Sequence, residues 1–144
     1  MGGCGAESLG PSTAPLADGT EIAPQRYLAD VVEAGDAVSD FGAVLARGGT
    51  VARRDALLAV APDLRAALER VELAQRRLDA ARLVDQRLEA QRGRAAALLV
   101  PVVTAMRAVA EAAEQGRPGA AAAASEELAR ATGALRQGAE PATG

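Results

Sequence analysis

Residues 27–45 read YLADVVEAGDAVSDFGAVL, and the spacing within this stretch decides the fold. Tyr27, Val31, Ala34, Val38, Phe41 and Leu45 recur at intervals of 4, 3, 4, 3 and 4, the repeat of an apolar seam along one side of an α-helix. Asp30, Glu33, Asp36 and Asp40 fall on a different face. Carboxylates suit hard cations, but a charged row along a helix reads first as its solvated side. On this register Val38 is a core position, so Val38→Asp is expected to unfold the domain by burying an unpaired charge.

Outward from the seam the same signal recurs. Pro24 suits a first helical turn, where its missing N–H costs nothing. Gly48 and Gly49 are expected to end this helix, and Thr50 is placed to cap the next. Leu57, Ala61, Leu64, Leu68, Val71 and Leu78 continue the pattern, with Gln75 in one polar slot. Pro62 interrupts it and predicts a short helix giving way to a longer one that starts there. Glu72 and Arg76 form an i,i+4 pair in the favourable order.

After Leu78 the seam slips by a residue and resumes at Val84, Leu88, Ala95, Leu98, Val102, Met106 and Val109. One helix over residues 62–115 would run about 80 Å, more than the first helix can cover. A turn near residues 79–84 is therefore predicted, although no Gly or Pro marks it. Pro101 is expected to kink the helix that holds it. Gly116 followed by Pro118 is a stop signal, and a last helix of about 20 residues follows it. Ala124, Leu128, Ala131 and Leu135 turn inward there, with Glu126 and Arg130 paired on the outer side. The resulting fold class is all-α: an up-and-down antiparallel bundle of three to four helices over residues 24–138. Residues 1–23, with two Pro and five Gly, read as a flexible N-terminal leash, and residues 139–144 as a frayed tail.

Composition narrows function mainly by exclusion. The chain has 144 residues, of which 37 are alanine, and its only aromatics are Tyr27 and Phe41. Leu, Val and Ala must build the core, which leaves few anchors for a shaped ligand pocket. Both aromatics sit on the first seam and read as core. Histidine is absent, which excludes His general acid–base catalysis, Ser-His and Cys-His pairs, and His-ligated zinc or di-iron centres. All sixteen basic residues are arginine, as GC-rich codon usage would give, so Schiff-base lysine chemistry is excluded as well. No enzymatic activity, metal or cofactor is expected.

Charge is uneven along the chain. Residues 1–46 carry one Arg and seven acids, residues 47–94 eleven Arg and seven acids, and residues 95–144 four Arg and five acids. Opposite charge on neighbouring helices reads first as pairing within the molecule. A sharper reading makes Arg76, Arg77, Arg82, Arg87, Arg92 and Arg94 an anionic surface contact for phosphate or acidic lipid headgroups. Against it stands a wet face interlaced with Asp79, Asp85 and Glu89. Nucleic acid is not expected as a partner, because lysine and interleaved aromatics are both missing. The longest uncharged run, Ala95 to Met106, is interrupted by Pro101 and is too short for a membrane span.

The lone cysteine, Cys4, stands at the head of the leash behind Gly2 and Gly3 and ahead of Gly5. No disulfide can form within the chain. Eukaryotic-type myristoylation wants Ser or Thr where Ala6 stands. The Gly-Gly-Cys-Gly head, followed by a Ser/Pro/Gly-rich stretch and an alanine-rich helical domain, resembles the small helical lipoproteins of actinobacterial type. Met1 stands where a lipobox usually has Leu, and no basic head or apolar stretch precedes Cys4. What the resemblance implies is acylation of Cys4, an extracytoplasmic protein held at the membrane by that anchor, and a bundle that binds or supports an unidentified protein partner at the cell envelope. The alternative expectation is a cytoplasmic helical adaptor whose seams pair with itself or another chain.

Overall fold

A computed structural model of the protein describes residues 17–47 and 53–139. Cys4, the Gly48-Gly49 pair, Thr50 and the tail beyond Ala139 lie outside the described residues. The elements run β1 (Thr20–Glu21), α1 (Pro24–Ala46), α2 (Arg54–Ala80), β2 (Ala81–Arg82), α3 (Gln86–Glu114) and α4 (Pro118–Ala139). The four helices pack in chain order, α1 on α2, α2 on α3 and α3 on α4, as an all-α up-and-down bundle.

The core runs through one contiguous apolar cluster, whose fully buried large side chains include Phe41, Leu57, Leu64, Leu68, Leu78 and Met106. In α1 the inward stripe is Tyr27, Asp30, Ala34, Ala37, Phe41 and Val44. The expected seam was displaced by one residue at alternate positions. Val31 is exposed, and Val38 and Leu45 are only half-buried. Both registers share Tyr27, Ala34 and Phe41, and apolar spacing alone favours the one without a carboxylate. The structure takes the other because Asp30 has a buried partner. In α2 the predicted positions Leu57, Ala61, Leu64, Leu68, Val71 and Leu78 are all buried, together with Ala67 and Ala74.

Pro62 does not divide its helix as expected. α2 runs unbroken through Pro62, and α3 through Pro101. Pro62 removes the hydrogen bond to the Leu58 carbonyl, and Pro101 the one to Ala97. All four residues face solvent, so water can take up the freed carbonyls. At the start of α2, Arg53 holds the N-cap position and its side chain makes no capping hydrogen bond.

α3 is buried on two sides, because it packs on both α2 and α4. Ala96, Leu99, Val103, Ala110 and Ala113 join the predicted Val102, Met106 and Val109 in the core, whereas Val84 ahead of it is exposed. It is the one described helix long and apolar enough to cross a membrane, with mean hydropathy 1.6 over eighteen residues. Half of that stretch is buried inside the bundle, as a central core helix requires. α3 ends in a Schellman motif: Gly116 (φ +63°) donates to the Ala113 carbonyl and Arg117 to that of Ala112. In α4, Leu128 and Ala131 are buried and Ala124 and Leu135 half-buried, as the spacing predicts. Arg130 pairs with Glu127 rather than Glu126.

Two features depart from a purely helical reading. The turn between α2 and α3 lies where the seam slips, but Ala81–Arg82 is extended and pairs in parallel with Thr20–Glu21. The Ile22 N–H adds a bond to the Arg82 carbonyl at 2.9 Å. Residues 17–23, assigned to the leash by composition, therefore belong to the folded unit. Gly19 (φ +77°) makes the turn that starts them, and Ile22 packs against the core.

Candidate functional site

The described residues hold two groupings of chemical interest: rows of ion pairs between helices, and a polar cluster at the end of the bundle where β1 meets the α2–α3 connection. The first accounts for the charge asymmetry. Arg77 Nε lies 3.2 Å from Asp30 Oδ1, and Arg70 reaches both Glu33 (3.0 Å) and Asp40 (2.5 Å). Three of the four acids of α1 are thus held by arginines of α2: Asp30 is buried in the seam between the helices, whereas Glu33 and Asp40 pair at its solvated edge. Asp36 alone stays exposed without an ion pair among the described residues.

Between α2 and α3, Arg65 grips Glu114 with two hydrogen bonds of 2.9 and 2.7 Å, and Arg107 reaches Glu72 at 2.6 Å. The expected partnership of Glu72 with Arg76 gives way to this one across helices. The Arg65 hydrogen bonds hold the Glu114 carboxyl below its ordinary range. Among the described residues no three Cys, Asp or Glu side chains converge as a metal site would require.

Asp30 is 6% exposed and Arg77 4%, and the second carboxylate oxygen of Asp30 has no hydrogen-bond partner. Burial raises the Tyr27 phenol pKa, against the pull of the Arg94 and Arg92 charges.

The six arginines read as an anionic surface contact separate into two groups. Arg77 and Arg92 are buried and face inward. Arg92 donates to the Leu78 carbonyl at 2.7 Å and to Glu89, while Glu89 also accepts the Leu83 N–H at 2.9 Å. Arg82, though exposed, donates to the carbonyls of Asp79 (3.2 Å) and Ala81 (2.7 Å). Leu78 and Asp79 lie in the last turn of α2, where carbonyls lack helical partners and the helix dipole favours cations. Arg82 and Arg92 therefore cap that terminus, which explains a sharp turn with neither Gly nor Pro. The hydrogen bond from Arg92, reinforced by the Leu83 N–H and the Arg82 charge, lowers the Glu89 carboxyl to about 2 despite its partial burial. At the other side of the turn, the Asp85 side chain caps α3 through the Leu88 N–H at 3.0 Å.

Arg76, Arg87 and Arg94 remain exposed and form no ion pair among the described residues. An open groove of about 540 Å³ runs between the start of α1 and the α2–α3 connection. Ile22, Pro24, Leu83 and Val84 supply its apolar wall, with Glu21 and Asp85. Val84, at 74% exposure, is the most exposed large apolar residue described. The sequence pattern missed this end because Val84 reads as the start of a core seam and Ile22 as part of a leash. Comparison with protein-family models, with curated proteins and with solved structures gives no match.

Proposed function

We propose that the chain is a non-enzymatic extracytoplasmic lipoprotein, tethered through Cys4, whose helical bundle serves as a binding or structural module at the cell envelope. The observation that carries this reading is the Gly2-Gly3-Cys4-Gly5 head, set before a Ser/Pro/Gly-rich stretch and an alanine-rich helical domain. The non-enzymatic part is supported by a sequence without histidine or lysine and by arginines and carboxylates that hold one another between helices. The test uses the gene with its native upstream region in a GC-rich Gram-positive host, followed by detergent phase partitioning and intact mass. A detergent-phase protein that begins at Cys4 and carries added diacylglycerol is the expected product. An aqueous, unmodified protein that retains the residues before Cys4 would overturn the reading.

A second reading, a cytoplasmic adaptor acting by helix–helix association, draws on the outer face of α1. Leu28, Val31, Val32, Gly35, Ser39 and Gly42 are exposed there without a charge among them. Sedimentation over a range of concentrations tests it, with a dimer expected on this reading and a monomer against it.

A further inference from the structure

We infer that the end of the bundle formed by the α2–α3 connection is a membrane-facing surface that rests on a phospholipid bilayer, with Val84 entering the interface and Arg76 and Arg87 reaching headgroup phosphates. This inference rests on the proposed anchoring through Cys4 and adds to it the orientation of the bundle and the residues in contact.

The first argument is where the tether joins the fold. The described chain begins at Ala17, and β1 pins the following residues to β2, so the N-terminal segment enters at the α2–α3 end. Thirteen residue steps separate Cys4 from Ala17, a reach of at most about 45 Å. The bundle is itself about 43 Å long, as judged from the 29 residues of α3. The opposite end, at Gly116, could touch the bilayer only with the tether drawn out along the whole bundle. The α2–α3 end meets the bilayer at any shorter extension, so anchoring raises the local concentration of lipid at that end above all.

The second argument is the chemistry of the surface. Val84 is 74% exposed at the tip, next to the apolar wall of Ile22, Pro24 and Leu83. Arg87 lies in the first turn of α3 and Arg76 about one turn before the end of α2, both exposed and without an ion pair among the described residues. Arginine binds phosphate oxygens through its planar fork. Glu21, Asp79 and Asp85 are exposed at the same end, so the surface is mixed in sign. Such a surface holds lipid weakly by itself and acts as the second of two signals, beside the anchor.

The chain has no tryptophan and a single cysteine, which makes the test direct. The Val84→Trp protein is coupled through Cys4 to a maleimide-headed phospholipid in vesicles that contain phosphatidylglycerol, with brominated phospholipid as quencher. Gln115→Trp, exposed at the opposite end, is treated in the same way. Expected are a blue-shifted emission and strong quenching at position 84, little change at 115, and a several-fold loss of quenching when Arg87→Glu is added to Val84→Trp. Emission at 84 unchanged from solution, or quenching at 115 equal to that at 84, would overturn the orientation. Quenching indifferent to Arg87→Glu would overturn the headgroup contact. Because the lipid is attached chemically, these outcomes do not depend on whether a cell acylates Cys4, which phase partitioning decides separately.

Discussion

Replacing Arg77 by Met is predicted to be among the most damaging single changes to the fold, and adding Asp30→Leu to it should repair most of the damage. Both side chains are almost fully buried, with the guanidinium 3.2 Å from one carboxylate oxygen and the other oxygen unpartnered. Methionine fills a similar length of space without charge, so Arg77→Met leaves the Asp30 carboxylate in the interior without its counter-charge. Breaking a buried pair in this way costs about 3–5 kcal/mol. A folded unit of roughly 120 residues unfolds with an entropy near 0.25 kcal/mol/K, so Tm should fall by about 12–20 °C. The double variant removes both desolvation costs and the unpartnered oxygen, and it should melt near the wild type or above it. Thermal and urea melts of the wild type, both single variants and the double variant give the coupling energy. Single variants within about 1 kcal/mol of the wild type, or losses that simply add in the double, would refute a buried pair that sets the register of α1.

Two further outcomes bear on the ends of the bundle. Glu89, lowered from the usual 4.5 to about 2, stabilises the folded state while ionised in it, a contribution present above pH 4.5 and lost as pH falls toward 2. Acid titration of folding should therefore show a shallower loss over that window in Glu89→Gln than in the wild type, and identical slopes would remove Glu89 from the turn. Gly116→Ala places a side chain at φ +63°, with its Cβ 3.0 Å from Arg54 Cγ, and should cost about 1–2 kcal/mol in a urea melt, whereas an unchanged midpoint would show another C-terminal geometry for α3.

The helical class and the turns near 79–84 and at 116–118 were legible in residue spacing, because those signals are local. The face of α1 was not. Tyr27, Ala34 and Phe41 serve two registers equally, and the choice between Val31 and Asp30 depends on Arg77, forty-seven residues away. A carboxylate reads as solvent-facing until its partner is placed. The same limit applied to Arg92, whose acceptor is the backbone carbonyl of Leu78, an atom that no residue identity announces. β1 escaped notice for a related reason, since two residues paired with a turn leave no periodicity. At the candidate membrane surface, Arg76 and Arg87 were legible as cations, but their separation from Arg77, Arg82 and Arg92 needed the fold.

That separation follows from what arginine does in an alanine-rich core. Alanine buries little surface, so the apolar contacts that would select one helix as the neighbour of another are shallow here. Charge takes over part of the selection: the acids of α1 meet the arginines of α2, and Arg65 and Arg107 join α2 and α3 to each other's carboxylates. Arginine suits this work because one planar head engages two acceptors, as Arg70 does with Glu33 and Asp40 and as Arg92 does with Glu89 and a helix-end carbonyl. Lysine, a point charge, would hold each junction less specifically. Arginines committed in this way are not available to an outside anion. The surface proposed for the bilayer therefore rests on those left over at the end where the tether enters, together with Val84.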